Sequence, residues 1–251
     1  MQHLCHRGHQ EVRPPQGHVA GREAHRALQP MGRQRLRPRA MIVDFHTHRH
    51  APATVGLVSI ESVDPRQFDP QPGCFYSVGL HPWHTLEPHV EASLQLLARL
   101  AAHPQVVAIG ETGLDPNRGA ALDEQQRIMQ RHIAIAEQAG KPLVLHMVRT
   151  SQLLLKAMKQ SRPSVPWVLH GFRSRPTVAQ PLVDAGFYFS IGPRFNAQSL
   201  QLIPPARLLI ETDDSPVPIA QVAALVAQAT GLTAAQVAGI ATRNALALLR
   251  L

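Results

Sequence analysis

From Met41 onward, short apolar runs alternate with longer stretches in which apolar residues recur every three or four positions. The runs at 41–45 (MIVDF), 55–60 (VGLVSI), 74–79 (CFYSVG), 106–110 (VVAIG), 143–146 (LVLH), 167–170 (WVLH), 187–191 (FYFSI) and 207–211 (RLLIE) read as strands. They are apolar almost throughout rather than alternating, the mark of a parallel sheet covered on both faces. Helical periodicity predicts helices over 91–102, 123–139, 152–160, 177–185, 219–230 and 233–250. The second of these opens on Asp123-x-x-Gln126, which resembles a capping box, and stops at Gly140 with Pro142 beyond. Ile128, Ile135 and Ala139 give it an inward stripe. Eight strands alternating with helices predict an α/β protein, a closed (β/α)8 TIM-like barrel. Too few residues separate the first and third strands for two crossover helices. Helices should therefore be reduced there, leaving loops to cover that quarter or the quarter partly open.

The first forty residues break the pattern. They carry eight arginines (7, 13, 22, 26, 33, 35, 37, 39) against Glu11 and Glu23, many His, Pro and Gly residues, and little apolar periodicity. Such a segment cannot bury enough apolar surface to offset its ordering entropy. Residues 1–40 are thus expected to be a disordered basic extension ahead of a barrel domain at 41–251. The leading reading is a start mis-assigned upstream of Met41. A solvated basic arm and an organelle-targeting segment stay open, although the latter would be expected to contain Ser.

Charge follows the same division. The chain has a net charge of +8, but after residue 40 there are 17 Lys and Arg against 15 Asp and Glu. The folded part is nearly neutral, so the basic total is no argument for a nucleic-acid surface. Cys5 and Cys74 make no disulfide framework, and a reducing cytosol is the expected location. No apolar run approaches the ~20 residues needed to span a bilayer.

Polar residues gather where the strands end. In the first run, DFHTH places His46 and His48 two apart, so on an extended strand they share a face and could chelate a divalent ion. His81 follows the third strand and Glu111 the fourth; His146 ends the fifth and His170 the sixth, and Asp213 follows the eighth. In a parallel barrel all these ends open on one face, where such enzymes build their sites. Four imidazoles (His46, His48, His146, His170) with Glu111 and Asp213 suit Zn²⁺, Mn²⁺, Fe²⁺ or Ni²⁺ better than Ca²⁺. Six protein ligands exceed what one catalytic ion normally takes, and would serve two ions about 3.5–4 Å apart. Lys141, Lys156 and Lys159 are the only lysines and none ends a strand, so Glu111 is the natural bridge.

The motifs DFHTH (44–48), GLHP (79–82), GETGLD (110–115), KPLVLH (141–146), LHGF (169–172), GFYFSIG (186–192), ETDDSP (211–216) and RNALALL (243–249) resemble, in order, the TatD family of metal-dependent hydrolases. The resemblance implies one ion on His46, His48 and Asp213, a second on His146 and His170, and Glu111 touching both. It also implies hydrolysis of DNA phosphodiesters with Zn, Mg or Mn. The chain departs from many family nucleases in placing Met147-Val148 before Arg149, and Pro116-Asn117 after GLD. Its early part is short, as in a compact branch of the family.

The leading functional expectation is a binuclear metal-dependent hydrolase of phosphoesters, with DNA or a nucleotide as substrate and Asp213 as catalytic base. An amidohydrolase or lactonase acting on a small molecule is the alternative. A non-catalytic metal-loaded scaffold is disfavoured by the intact ligand set. Arg149 and Arg173 are candidates to grip a phosphate, and His81 to contact an oxygen of the substrate. Each has a structural reading of comparable weight. Glu211 is expected to support a ligand from behind, Asn244 to be structural, and His50 and His84 to be solvated.

Overall fold

The structure, a computed structural model, describes residues 41–86 and 88–251. The expectation for residues 1–40 lies outside the described residues. Eight strands form: β1 (Ile42–Thr47), β2 (Leu57–Val63), β3 (Phe75–Val78), β4 (Val106–Leu114), β5 (Leu143–Met147), β6 (Trp167–Leu169), β7 (Tyr188–Ile191) and β8 (Leu208–Ile210). They lie side by side in chain order and every neighbouring pair is parallel. Helices α1 (Val90–Leu100), α2 (Leu122–Ala139), α3 (Ser151–Ser161), α4 (Pro176–Asp184), α5 (Ala197–Leu200), α6 (Ile219–Thr230) and α7 (Ala234–Leu249) follow the later strands. As expected, β1 reaches β2 without a helix, and β2 reaches β3 through only a 3-10 turn at Pro65–Gln67. The ring is nearly closed, with an isolated bridge between Thr47 and Asp213 joining its two ends.

Alternation along the strands sorts the core. Val144, Val168 and Leu209 join Val43, Phe45 and Ile60 in one cluster drawn from strands around the ring, sealed by Ala245, Leu248 and Leu249 of α7. Their strand neighbours Leu143, Leu145, Trp167, Leu169, Leu208 and Ile210 instead pack with the helices. Because side chains two apart share a face, His146 extends the row of Val144, His170 that of Val168 and Glu211 that of Leu209. The interior row thus turns from apolar to ligand-bearing at the C-terminal end of the barrel.

Three local expectations need correction. The fourth strand was expected to end at Gly110, but β4 runs to Leu114 and is buried throughout, so Glu111 sits inside a strand. The eighth was expected to reach Glu211, but β8 stops at Ile210 and Asp213 belongs to the loop beyond. The Asp123–Gln126 capping box is absent. Ala121 is the N-cap of α2 and makes no side-chain bond, while Asp123 and Glu124 occupy the first turn, where the helix dipole favours negative charge. The observed capping box is Thr233 with Gln236, at the start of α7. Gly140 ends α2 in the left-handed region as expected, at φ 62°. Among the described residues no single helix is long and apolar enough to cross a membrane.

Candidate metal centre

Strand ends deliver the donors to one place because the backbones approach closely there. A Cβ on Gly113 of β4 would collide with the carbonyl oxygen of His146 on β5. A Cβ on Gly79, just past β3, would lie 2.7 Å from the Glu111 carbonyl oxygen. Only glycine permits these approaches, which bring β3, β4 and β5 together around Glu111.

Glu111 is the hub. Its side chain is 3% exposed, and its two oxygens face different imidazoles. Oε1 lies 2.8 Å from His146 Nδ1, 2.7 Å from His170 Nε2 and 2.9 Å from His81 Nε2. Oε2 lies 3.3 Å from His46 Nε2 and 3.8 Å from His48 Nε2. Asp213 Oδ1 completes the second side, 3.8 Å from His46 Nε2 and 3.4 Å from His48 Nε2. The donors therefore fall into overlapping groups, including His46–His48–Asp213, His46–Glu111–His170 and His81–Glu111–His146.

Without a cation this arrangement is poorly satisfied. Both ring nitrogens of His46, Glu111 Oε2, His146 Nε2 and His170 Nδ1 are buried without a hydrogen-bond partner. His146 Nδ1 and His170 Nε2 also sit 3.3 Å apart while aimed at the same carboxylate oxygen. Buried polar atoms normally find partners, and converging lone pairs are what a divalent ion would resolve. Burial would raise the Glu111 carboxyl, but the nearby His170 charge and the bonds from His146 and His170 hold it well below the usual range. Burial would lower His170, but Glu111 and Glu211 outweigh it and raise it well above an ordinary imidazole. At His48 and His81 burial prevails and lowers both. The donor set fits metal ions.

The predicted site residues do not all converge. His46, His48, Glu111, His146, His170 and Asp213 are brought together, and His81 joins them through Glu111. His81 also caps the 3-10 turn Pro82–His84, its Nδ1 accepting the Trp83 N–H at 3.2 Å, so its structural and site readings hold at once. Arg149 and Arg173 stay exposed at the wall of a neighbouring cavity of about 520 Å³. Glu211 stands behind His170, its Oε1 accepting the Gly171 N–H at 2.6 Å and lying 3.5 Å from His170 Nδ1. Asn244 donates to the Pro205 and Leu208 carbonyls, a structural role. His84 is exposed. His50 is not merely solvated: its Nδ1 pairs with Glu61 Oε2 at 2.9 Å and its Nε2 lies 3.8 Å from the Cys74 sulfur.

Sequence reasoning missed several supporting groups. Asp44 is buried beside the centre and accepts from the Thr212 N–H and hydroxyl, at 2.8 and 2.6 Å. Burial pushes its carboxyl up to about 6 against the pull of those bonds. Asp115 accepts the Trp83 indole N–H at 2.7 Å. Both acids lie inside the quoted motifs DFHTH and GETGLD, so position within a motif was the available signal. Arg194, beside Arg149 and Arg173 on the cavity wall, lies in no such motif.

A family model described as TatD related DNase matches residues 66–250. The metal-dependent hydrolase TatD of Mycobacterium tuberculosis is 34% identical over 152 residues, covering 55% of this chain and 57% of that protein. The 3'-5' ssDNA/RNA exonuclease TatD of Musicola paradisiaca is 35% identical over 153 residues, 56% of either chain. The chain thus spans little more than half the length of these curated relatives. Among solved structures, the TatD homolog YjjV of Escherichia coli superposes with a TM-score of 0.72, covering 86% of this chain and 100% of that one. At 22% identity that likeness speaks for the fold.

Proposed function

The chain belongs to the TatD-related DNase family, and we propose that it is a binuclear metal-dependent hydrolase of phosphoester bonds, chiefly the phosphodiesters of DNA or nucleotides. The observation that carries the reading is the division of Glu111, one oxygen toward His146 and His170, the other toward His46 and His48. A carboxylate so placed can bridge two ions. His46, His48 and Asp213 would hold one, and His146 and His170 the other. Imidazole-rich ligation favours Zn over Mg.

Bound divalent ions there would supply an acidified water and an electrophile for the phosphoryl oxygen. Asp213 is the protein's proton acceptor. Its side chain is 32% exposed at the cavity mouth, so it can meet both water and substrate. It would take the proton as attack begins and return it to the leaving oxygen. Glu211, holding the Gly171 N–H and facing His170, fixes that imidazole's orientation. His81 carries its proton on Nε2, because Nδ1 accepts the Trp83 N–H, and would turn that proton from Glu111 to a substrate oxygen once Glu111 is engaged by the ions. The exposed guanidiniums of Arg149, Arg173 and Arg194 on the adjoining wall favour an anionic substrate. The reading includes a cytosolic location, consistent with the free thiol of Cys74.

The test is the full chain loaded in turn with Zn, Mn or Mg and assayed against DNA and RNA oligonucleotides, phosphomonoesters, amides and lactones. Metal-stimulated phosphoester cleavage with two ions per chain is expected. Hydrolysis of amides or lactones with phosphoesters untouched would overturn the proposal.

A further inference from the structure

Trp83 stands out in the cleft. It is 42% exposed, with Val55 and Leu86 one of the few large apolar side chains that the described residues leave open to solvent. It lines both the cavity of about 390 Å³ over the donors and the adjoining one of about 520 Å³ on the arginine side. Its ring centroid is 4.7 Å from that of His81 and 5.9 Å from that of His146. An exposed indole on a surface loop would ordinarily be free to turn. This one is held at its N–H edge and over one face, on a backbone that is itself tied.

Its backbone N–H is bound by His81 Nδ1, its indole N–H by Asp115 Oδ2, and the Arg118 guanidinium carbon lies 4.0 Å from the ring centroid. Asp115 is itself fixed, its Oδ1 accepting the Asn117 N–H and side-chain amide at 2.9 and 3.1 Å. The polar edge of the indole is thus satisfied within the protein, leaving its remaining exposed surface to apolar or π contact. Such a rigid aromatic, backed by a cation and facing a cleft with exposed arginines, has the features of a stacking platform for a nucleobase.

We infer that Trp83, braced by Asp115 and Arg118, forms a nucleobase-stacking subsite beside the metal centre and positions an unpaired base next to the scissile phosphate. The inference rests on the phosphodiester reading above. A stack reads the π face common to all bases rather than their hydrogen-bonding edges, so the subsite accepts purines and pyrimidines alike and rejects a strand lacking a base at that position.

Binding tests this without turnover. The chain has two tryptophans, and the other, Trp167, is 1% exposed in the core. Titrating the metal-loaded protein with a phosphorothioate oligothymidylate should quench indole emission saturably, and an all-abasic strand of equal length should not. By anisotropy of a labelled oligothymidylate, Trp83→Ala should bind about tenfold more weakly, within the range for loss of one base–aromatic stack, and Trp83→Phe should recover most of that loss. Equal affinity of Trp83→Ala and wild type, or equal quenching by the abasic strand, would overturn the inference. If wild type meanwhile cleaves oligonucleotides, only the subsite falls. If it neither binds nor cleaves any nucleic acid, the phosphodiester reading falls with it.

Discussion

His132 should make the fold acid-sensitive independently of the metal centre. The side chain is fully buried on α2, with Nδ1 2.9 Å from the Ile128 carbonyl and Nε2 accepting the Leu80 N–H at 3.0 Å. That pairing defines a neutral ring carrying its proton on Nδ1. A second proton would face the Leu80 N–H and place an unpaired charge in the core. Burial accordingly lowers His132 to about 4, against an ordinary value of 6.5, despite the opposing bond to Ile128.

The folded state therefore takes up this proton later than the unfolded chain does. The stabilisation is complete above about pH 6.5 and is lost as pH falls through 4. A gap of that size corresponds to about 3 kcal/mol. His132→Gln offers an amide donor and a carbonyl acceptor without titrating. At pH 8 it should be less stable than wild type by about 1–2 kcal/mol through imperfect fit. Between pH 8 and pH 4 the gap between the two proteins should narrow, and then reverse, by a total of about 3 kcal/mol. Urea unfolding of chelator-treated protein across that range measures it, because the other histidines contribute alike to both. Parallel stability curves would refute the reasoning.

Three further outcomes follow from the centre. Glu111→Gln should bind fewer than two ions per chain by elemental analysis, and two ions at wild-type affinity would dismiss the bridge. Asp213→Asn, assayed at saturating metal, should keep much of its metal and lose about 10²–10⁴-fold in kcat with little change in KM. Normal turnover at full occupancy would pass the role of base to another group. Arg149→Ala and Arg173→Ala should raise KM for oligonucleotides by the equivalent of roughly 1.5–3 kcal/mol each. Unchanged kinetics in both variants would point to a small neutral substrate.

The barrel was legible because each strand announces itself as an apolar run and each later helix as a periodic one, except α5, whose four residues are too short to show a period. The donors were legible because His146 and His170 end such runs, where a core position would otherwise be apolar. Element ends were less so. β4 continues past Gly110 through Glu111 and Thr112, polar residues that a burial pattern assigns to a loop. Asp123 and Gln126 have the right spacing for a cap, but the chain enters the helix at Ala121, and spacing carries no information about φ and ψ. Trp83 and His132 were missed for a shared reason. Their roles depend on partners distant in sequence, Asp115 at 32 residues and Leu80 at 52, which no local window contains.

The seam between β8 and β1 carries a mechanical consequence. Asp213 donates its N–H to the His46 carbonyl and accepts the His48 N–H, while Thr212 is bound to Asp44 across 168 positions of sequence. Joining points so far apart restricts nearly the whole domain, and the chain entropy lost in closing a loop of that length is about 4–5 kcal/mol. An ion on His46, His48 and Asp213 would grip both sides of the joint and act as a clip on the hoop. Its departure would unfasten the barrel at the site of the chemistry, so chelation should loosen β1 and the loop after β8 ahead of the strands opposite.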